Sequence, residues 1–271
     1  MAISYDSPEI LGSFTERNDI TYPLLSDVDS ATIKRYGILN TVVEEALGPN
    51  GQDPAVLVDL KIYATAFEAS ERHRGIPFPG TFIVDAQGRV TSRFFEEYYW
   101  ERNTFSNVML RLGAAGTPVQ ATQVSTAHLD VSAYASDASL ALGTRFSLVL
   151  DVTPKDGMHV YAPGAVDYRV VALNITPQPH IRIEPIRYPA SEIYHFVPLD
   201  EHVPVFQRPF TLVTEVIPEA TVDGRAAFAD KTEMVITGTL EYQACDDAIC
   251  YNPVSVPLSW TVALAPRPPQ R

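Results

Sequence analysis

The stretch MVITGTLEYQACDDAICYNPVSVPLSWTVAL (234–264) holds two strand-like runs on either side of a cysteine pair. Apolar and polar side chains alternate in MVITGTL (234–240) and in VPLSWTVAL (256–264), as they do in strands that bury one face. Further short alternating runs lie upstream, separated by turn residues and without long helical periodicity: FSLVLDV (146–152), YRVVALNI (168–175) and FTLVTEV (210–216). This pattern predicts an antiparallel β-sandwich for the C-terminal part of the chain.

The first 113 residues have a different texture, because strand-like and helix-like segments alternate there. AISY (2–5) predicts a short strand, and SPE (7–9) predicts the start of a helix with a capping serine and a proline in its first turn. GTFIVD (80–85) and RVTSRFF (89–95) flank a turn, as the strands of a hairpin do. Residues 97–112 have the spacing of a last amphipathic helix. This order predicts an α/β domain.

The segment GAAGTPVQ (113–120) consists mostly of small residues and contains one proline. It lies between the α/β pattern and the strand-rich pattern and predicts a linker. The predicted organisation is an α/β domain over residues 1–116, a linker over 117–122 and an antiparallel β-sandwich over 123–271. The predicted fold class is therefore α/β plus all-β.

The composition limits the classes of function. The 271 residues carry a formal net charge of −13, and the acidic residues are spread evenly. No basic face is therefore expected for a phosphate backbone, which excludes nucleic acid as a partner. No apolar run is long enough for a membrane span, and the start MAISYDSPEI lacks the basic and apolar regions of a secretory signal. The two cysteines are too few for a disulfide scaffold or a four-cysteine zinc site.

Cys245 and Cys250 are the residues with redox chemistry. Four residues separate them, and Asp246-Asp247 predicts a turn. Such a turn can bring the two Cα atoms within the roughly 4.4–6.8 Å that a disulfide needs. A bond across so short a loop gains little from loop-closure entropy, which favours a bond that is made and broken. A static structural disulfide and two buried thiols remain the alternatives.

The histidines predict no metal site. His159, His195 and His202 could in principle join the cysteines as ligands of copper or zinc. However, no two of these histidines have the close spacing at which one strand or one helix presents two ligands. We therefore predict neither a metal nor another cofactor, and ordinary surface positions remain an alternative for His159 and His202.

Several segments of the first domain occur in the order of a known family: ISYDSPEILGSF (3–14), YPLLSD (22–27), YGILN (36–40) and PGTFIVDAQGRV (79–90). Over about residues 2–112 they resemble the peroxiredoxin-like (AhpC/TSA, redoxin) branch of the thioredoxin superfamily. The resemblance implies a thioredoxin-like domain in which Pro79 matches the cis-proline that faces the family's active-site thiol.

The resemblance also implies that this domain is incomplete. In the family, a strand and a helix with the catalytic cysteine precede the strand matched by AISY (2–5), whereas residues 1–117 contain no cysteine. Without a thiolate the domain has no nucleophile for peroxide, so we expect no peroxidase activity from residues 1–117. Because the missing strand is central in the family's sheet, AISY is expected beside GTFIVD (80–85) or at a free sheet edge.

The cysteine segment resembles a second family. YQAC (242–245) and CYNP (250–253) match the arrangement around the cysteine pair in the N-terminal domain of the thiol:disulfide interchange protein DsbD. This resemblance covers roughly residues 120–265 and implies an immunoglobulin-like sandwich. It also implies that the cysteine pair receives electrons and passes them to thioredoxin-like client proteins in the periplasm.

Two further segments contribute site residues under this resemblance. KDGMHVYAPG (155–164) corresponds to a stretch beside the family's active site, and PLDEHVPVF (198–206) corresponds to a cap loop that shields the disulfide. Carboxylates near the cysteines would raise the thiol pKa, and a protonated histidine would lower it. The implied site has two catalytic residues, Cys245 and Cys250, and six supporting residues: His159, Tyr161, Asp200, Glu201, His202 and Tyr251.

We therefore expect thiol–disulfide electron transfer through Cys245 and Cys250, with a thioredoxin-like redox protein as electron donor or client. Two alternatives stay open. The sandwich could be a non-enzymatic interaction or structural module with an inert cysteine pair, or the chain could be a fragment of a thiol peroxidase whose cysteine lies upstream. The resemblance implies a periplasmic location, whereas the chain contains neither a signal peptide nor a transmembrane segment.

Overall fold

The structure, a computed structural model, describes residues 1–63, 69–95, 101–114, 119–197 and 200–265. The chain divides into two compact units, Met1–Arg102 and Asn103–Arg271. A mixed α/β start is followed by a strand-rich region of antiparallel sheets, which confirms the predicted fold class. Among the helices that are described, none is both long and apolar enough to cross a lipid bilayer.

Unit 1 is built from short helices and two pairs of strands. Ser7 Oγ accepts a hydrogen bond from Ile10 N–H and Pro8 occupies the first turn of the first helix, so this helix begins where the sequence predicts. The elements of unit 1 are β1 (Ala2–Ser4), α1 (Pro8–Arg17), β2 (Leu24–Ser26), α2 (Ala31–Arg35), α3 (Thr41–Ala46), α4 (Pro54–Tyr63), a 3-10 turn (Glu71–His73), β3 (Gly80–Val84) and β4 (Val90–Phe95).

The strands of unit 1 form two separate two-stranded sheets. β1 runs parallel to β2, with Ile3 opposite Leu25, and β3 runs antiparallel to β4. No described strand pairs with the second edge of β1, so AISY has the free edge that was one of its two expected arrangements and does not pair with GTFIVD. A cleft of about 380 Å³ lies between β1 and β3, and its apolar lining includes Ile33 and Phe82.

The peptide bond before Pro79 does not have the predicted cis conformation. No cis peptide bond occurs in the described residues, so the Phe78–Pro79 bond is trans. The preceding segment is held extended, because Phe78 N–H donates to Ile38 O at 2.7 Å and Pro77 forms a β-bridge with Leu39. This pairing leads the chain directly into β3.

Unit 2 is a β-sandwich with two short helices. A two-residue strand, β5 (Arg102–Asn103), lies at the division between the units. The remaining elements are α5 (Phe105–Arg111), β6 (Val119–Ser125), β7 (Leu129–Ala135), β8 (Ser139–Leu140), β9 (Thr144–Pro154), β10 (His159–Tyr161), β11 (Ala172–Ile175), β12 (Ile181–Ile183), β13 (Glu192–Phe196), β14 (Glu201–Phe206), β15 (Phe210–Pro218), α6 (Val222–Ala227), β16 (Glu233–Tyr242), β17 (Ala244–Cys245) and β18 (Val254–Leu264).

The core of unit 2 lies between two sheets. Buried and more exposed residues alternate in β16 and β18, whereas β9 is buried over consecutive residues. One sheet has the order β12-β15-β9-β7-β6, and the facing sheet has the order β11-β16-β18-β8. In β18 the buried positions are Val256, Leu258, Trp260 and Val262, with exposed residues between them. Each such apolar side chain contributes about 1.5–3 kcal/mol when it leaves water, so this alternation is the main reason the strands pack into two layers.

The helix predicted over residues 97–112 is shorter and belongs to unit 2. Residues 96–100 lie outside the described residues, and α5 spans Phe105–Arg111. The buried Asn107 donates a hydrogen bond to Ser147 Oγ of β9 at 3.0 Å, and Thr104 N–H donates to Arg145 O at 2.9 Å. These bonds tie α5 to the sandwich, so the division falls after Arg102 and ahead of the linker predicted at 117–122.

The predicted linker also overlaps the sandwich. Residues 117 and 118 lie outside the described residues, and β6 begins at Val119, which stands opposite Ala135 of β7. The small residues of this stretch predicted a loop, but the ladder to β7 supplies partners for its backbone groups. Long-range pairing of this kind is invisible in local composition.

A third, smaller sheet positions the candidate site. Its strands have the order β13-β14-β10-β17 and contribute Val160, Phe206 and Ala244 to the main core. β10 is the central strand here, with His159 opposite Cys245 on one side and Tyr161 opposite Val205 on the other.

Candidate functional site

The cysteine loop is a tight turn that closes on a disulfide. Asp246 organises the turn, because its Oδ1 accepts hydrogen bonds from Ala248 N–H at 2.8 Å and Ile249 N–H at 2.7 Å. Asp246 N–H also donates to Ile249 O at 3.0 Å, and Tyr251 N–H donates to Ala244 O at 2.8 Å. The cysteines therefore stand opposite each other as an antiparallel bridge, with Cα atoms 4.1 Å apart, and their sulfurs are bonded.

The two cysteine residues of this disulfide differ in exposure. Cys245 continues the strand pairing of β17 with β10 and is only 1% exposed, whereas Cys250 lies at the outer end of the turn and is exposed. A thiolate from another protein can therefore reach Cys250, while Cys245 is the sulfur that is shielded. Attack at Cys250 would make buried Cys245 the leaving group.

Tyr161 contacts both sulfurs. Its hydroxyl oxygen lies 3.1 Å from Cys245 Sγ and 3.3 Å from Cys250 Sγ. Because the sulfurs of a disulfide carry no hydrogen, the tyrosine is the donor in both contacts. Burial, followed by the neighbouring Tyr168 and Glu201, raises the pKa of Tyr161 to about 12. The hydroxyl therefore keeps its proton at neutral pH and can donate a hydrogen bond to a sulfur.

A second tyrosine links this hydroxyl to a carboxylate. The ring of Tyr168 stacks on the ring of Tyr161 with centroids 4.0 Å apart, and the Tyr168 hydroxyl donates to a Glu201 carboxylate oxygen. That hydrogen bond to Glu201 is the largest cause of the raised pKa of Tyr168. Glu201 thus bonds to Tyr168, whose ring stacks on the tyrosine beside the two sulfurs.

His159 is buried beside the disulfide as a neutral ring. It is 3% exposed, stands opposite Cys245, and packs its ring against Tyr194 with centroids 4.5 Å apart. Burial lowers the pKa of His159, and this effect outweighs the negative charges of Asp247 and Asp246, which raise it. The imidazole is therefore uncharged at neutral pH, so it does not supply the positive charge that would lower a thiol pKa.

The disulfide opens into a small cleft of about 60 Å³. Its walls come from β10, from Tyr168 between β10 and β11, from the β13–β14 hairpin and from the cysteine turn. The lining residues are His159, Tyr161, Tyr168, Tyr194, Phe196, Val203, Cys245, Asp246, Ala248, Ile249 and Cys250. The cleft is far smaller than the roughly 300–1,000 Å³ of a small-molecule site. Its volume is therefore nearer that of a single amino-acid side chain than that of a small-molecule ligand.

The remaining residues proposed from the sequence lie around this cleft without lining it. The Tyr251 hydroxyl donates a hydrogen bond to Asp246 Oδ2 at 2.8 Å and so supports the turn. The Asp200 carboxylate contacts the His195 ring, with Oδ1 2.8 Å from Nε2. The ring of His202 stacks on the same His195 ring, with centroids 4.2 Å apart. Tyr161 and His159 thus lie next to the cysteines, and Glu201 is linked to Tyr161 through Tyr168. Asp200 and His202 belong to a separate cluster around His195.

Sequence reasoning missed Tyr168 and Tyr194. Tyr168 was placed only in a strand-like run, yet it lies before β11 and connects Glu201 to Tyr161. Tyr194 lies on β13 and donates its hydroxyl to Asp247 Oδ1 at 2.9 Å, which joins the hairpin to the cysteine turn. Tyrosines at both positions were visible in the sequence, but only the pairing of distant strands brings their rings to the disulfide.

Two family models match the chain. The model of the AhpC/TSA family matches residues 1–93, and the model described as thiol:disulfide interchange protein DsbD, N-terminal, matches residues 127–257. The chain thus has a redoxin-like segment followed by a domain similar to the DsbD N-terminal domain, as the two resemblances imply. Together with the disulfide, these matches associate the chain with thiol–disulfide redox chemistry. None of the curated proteins compared with the chain matches it.

Several solved structures are similar to part of the chain. The N-terminal periplasmic domain of ScsB from Proteus mirabilis is 14% identical, with 50% of this chain and 49% of that chain covered and a TM-score of 0.35. The reduced DsbD N-terminal domain from Neisseria meningitidis is 14% identical, with 43% and 81% covered and a TM-score of 0.29. A family 123 glycoside hydrolase from Clostridium perfringens is 9% identical, with 48% and 23% covered and a TM-score of 0.23. The match therefore spans about half of the ScsB chain.

Proposed function

We propose that Cys245 and Cys250 form a thiol–disulfide exchange centre that passes electron pairs between thioredoxin-like proteins outside the cytoplasm. The observation that carries the proposal is the unequal environment of the two sulfurs. Cys250 is exposed, Cys245 is buried, and the protonated Tyr161 hydroxyl lies within 3.3 Å of both. The match of residues 127–257 to the DsbD N-terminal model supports the partner class and the compartment.

Reduction of the pair proceeds through a mixed disulfide. A partner thiolate attacks Cys250 Sγ, a bond forms between these two sulfurs, and the electron pair of the Cys245–Cys250 bond passes to Cys245 Sγ. A second thiolate of the partner then attacks the partner's own bonded sulfur, and Cys250 leaves as a thiolate. The partner is oxidised to a disulfide, and Cys245 and Cys250 gain two electrons and take up two protons. The reverse sequence reduces a client disulfide.

Tyr161 stabilises the leaving sulfur in this step. When the S–S bond breaks, negative charge develops on Cys245 in a site that is 1% exposed, where water cannot solvate it well. The hydroxyl at 3.1 Å is already in place to donate to that thiolate. A hydrogen bond to a charged group contributes about 1.5–3 kcal/mol, so this donor lowers the barrier for attack at Cys250.

A purely structural role for the disulfide has less support. The bond closes a ring of six residues, for which loop-closure entropy predicts about 2 kcal/mol, compared with about 4.7 kcal/mol for a loop of 100 residues. Unit 2 already has a continuous apolar core between two sheets, with Phe146, Leu148 and Leu150 fully buried. A domain of this size folds without a short covalent staple.

The deciding experiment separates the two cysteines. With Cys245→Ser, the exposed Cys250 is retained. We expect its thiolate to form a mixed disulfide with a thioredoxin-like protein whose resolving cysteine is replaced by serine and whose remaining cysteine is first activated as a disulfide with thionitrobenzoate, which leaves as the free thiolate. Cys250→Ser is the matched control, because it keeps only the buried cysteine and is expected to trap at least about tenfold less. Equal trapping by both variants would contradict the assignment of Cys250 as the attacked sulfur.

A redox titration of the wild-type chain against glutathione tests the function itself. We expect a midpoint potential among those of thiol relays, and a Cys245→Ser/Cys250→Ser chain that melts within a few degrees of the wild type. A potential below about −300 mV together with a large loss of thermal stability would mark a structural disulfide and overturn the proposal.

A further inference from the structure

We infer that the β13–β14 hairpin carries a binding site for a divalent transition-metal ion, formed by His195, Asp200 and His202. One ligand atom from each of these three side chains lies within 4.8 Å of the other two. The closest pair is His195 Nε2 and Asp200 Oδ1 at 2.8 Å, and the two imidazole rings are nearly parallel with centroids 4.2 Å apart. All three residues are exposed, so an ion can reach them from solvent.

The strand register produces this cluster. β13 and β14 are antiparallel with five paired positions, and His195 stands directly opposite His202. Directly opposed residues have Cβ atoms about 4.5–5.5 Å apart on the same face of a sheet, so the backbone holds both imidazoles on one side of the hairpin. Asp200 lies in the connection between the strands with φ 51°, and its carboxylate reaches back to His195.

The donor set indicates the class of ion. Two imidazole nitrogens and one carboxylate oxygen are ligands of Zn²⁺ and Cu²⁺, whereas Ca²⁺ and Mg²⁺ require a shell made of oxygens. A tetrahedral Zn²⁺ with ligands at about 2.0–2.2 Å separates its ligand atoms by about 3.3–3.5 Å. Because an imidazole binds a metal in the plane of its ring, ion binding requires the two stacked rings to rotate toward a common point, which their exposed positions allow. Three protein ligands leave at least one coordination position for water.

The same two strands cover the disulfide with their other face. Successive side chains on a strand point to opposite faces, and the neighbours of the two histidines, Tyr194, Phe196 and Val203, line the disulfide cleft. An ion that bridges His195 and His202 therefore joins the two strands that shield Cys245 and Cys250. We expect the bound ion to restrain opening of the hairpin and to slow chemical reduction of the disulfide. This expectation concerns access to the bond and does not require the proposed exchange function.

The first test measures ion binding by the oxidised full-length chain, in which the cysteines are not available as ligands. Calorimetric titration with Zn²⁺ and Cu²⁺ is expected to give one site per chain, and no comparable binding of Mg²⁺. His195→Gln, His202→Gln and Asp200→Asn each remove one ligand and are expected to weaken binding more than about tenfold. His180→Gln is the matched control, because His180 pairs with Glu219 away from this cluster.

Two results would overturn the metal site: no Zn²⁺ or Cu²⁺ binding by the wild type, or unchanged binding in both His195→Gln and His202→Gln. Circular dichroism of each variant checks that the sandwich is intact. These side chains are exposed, so we expect their replacement to leave the fold unchanged.

The second test follows reduction of Cys245–Cys250 by a phosphine reductant with and without Zn²⁺, at metal concentrations above the measured Kd. We expect the ion to slow reduction severalfold in the wild type and in His180→Gln, and to have no effect in His202→Gln. If Zn²⁺ binds at His195 and His202 but leaves the wild-type reduction rate unchanged, the coupling between the ion site and the disulfide is wrong.

Discussion

At the scale of single residues, Tyr161 and His159 are the two residues of β10 that lie beside the disulfide. Tyr161 brings a protonated donor to both sulfurs, and His159 brings a neutral ring to the backbone position opposite Cys245. Neither side chain supplies positive charge. In the proposed exchange reaction, stabilisation of the developing thiolate would therefore come from hydrogen bonding by Tyr161, and a change at each residue is expected to have a separate effect.

Replacing Tyr161 with phenylalanine should make the disulfide harder to reduce. The reduced state, in which both cysteines carry a proton, loses the hydrogen bond between Tyr161 and Cys245, worth about 0.5–1.5 kcal/mol, whereas the oxidised state loses only contacts with disulfide sulfurs, which are weak acceptors. For a two-electron couple, about 30 mV corresponds to 1.4 kcal/mol, so the midpoint potential is expected to become about 10–30 mV more negative. Tyr251→Phe is the control, because its hydroxyl contacts Asp246 and not a sulfur. Equal potentials for Tyr161→Phe and wild type would exclude this role.

His159 should make stability depend on pH. Burial lowers its folded-state pKa below the unfolded value of about 6.5, so between these two values the unfolded chain binds the extra proton. The free energy of unfolding should therefore fall as the pH decreases from about 6.5 toward the folded pKa, and level off below it. Urea titrations at a series of pH values should show this loss in the wild type and in His202→Gln but not in His159→Gln. The same slope in His159→Gln would assign the effect to another group.

At the scale of elements, the cysteine turn is held by one carboxylate. Asp246 accepts two backbone hydrogen bonds and one from Tyr251, and the backbone bond from Ile249 is the largest cause of its lowered pKa. Asp247 makes one bond, to the Tyr194 hydroxyl on β13. The two adjacent acids thus differ in role, since the first shapes the turn and the second connects it to the hairpin.

Asp246→Ala should loosen the turn, since three hydrogen-bond donors lose their acceptor. We expect unit 2 to lose about 1 kcal/mol of unfolding free energy and the disulfide to be reduced faster by a phosphine reductant. Asp247→Ala should cost less, because only the contact with Tyr194 is lost. Urea denaturation and reduction kinetics of both variants provide the measurement, and a larger effect from Asp247→Ala would reverse the assignment.

The helix α5 should contribute to the stability of the sandwich. Asn107 is fully buried and donates to Ser147 of β9, so Asn107→Ala leaves a buried hydroxyl with one partner fewer. We expect a loss of about 1–3 kcal/mol in the unfolding of unit 2, followed by near-ultraviolet circular dichroism. Met109→Ala, on an exposed position of the same helix, should lose less. Equal small losses would indicate that α5 does not belong to the sandwich core.

At the scale of the whole molecule, the chain combines a redoxin-like segment without cysteine and a sandwich with the cysteine pair. In the described residues of unit 1, two short sheets leave one edge of β1 unpaired. Both cysteines of the given sequence therefore lie in unit 2.

The chain should not act as a peroxidase while Cys245 and Cys250 are kept oxidised. Residues 1–117 supply no thiolate, so hydrogen peroxide has no nucleophile to attack it. Peroxide consumption by the oxidised wild type is expected to equal that of a Cys245→Ser/Cys250→Ser chain and of buffer alone. Saturable consumption by either protein would require another catalytic group.

Local patterns predicted much of the architecture correctly. The alternation in β9, β15, β16 and β18 predicted a sandwich, and Ser7 and Pro8 predicted the start of α1. Such features depend on residues close in the chain, because burial of one face imposes a period of two on a strand and capping needs neighbouring backbone groups. The isomer of Pro79 and the membership of α5 were predicted wrongly, because both depend on contacts with distant segments.

The sequence by itself determined that the chain joins an α/β segment to a sandwich, and that a short turn brings Cys245 and Cys250 together. Tertiary structure alone decided which sulfur is exposed, and it placed Tyr161 and Tyr168 between the disulfide and Glu201. It also placed His195 and His202, which six residues separate in the sequence, at opposite positions of one hairpin. The physical reason is that register and layer contacts are set by pairing between distant strands, whereas sequence periodicity records only the local backbone and its buried face.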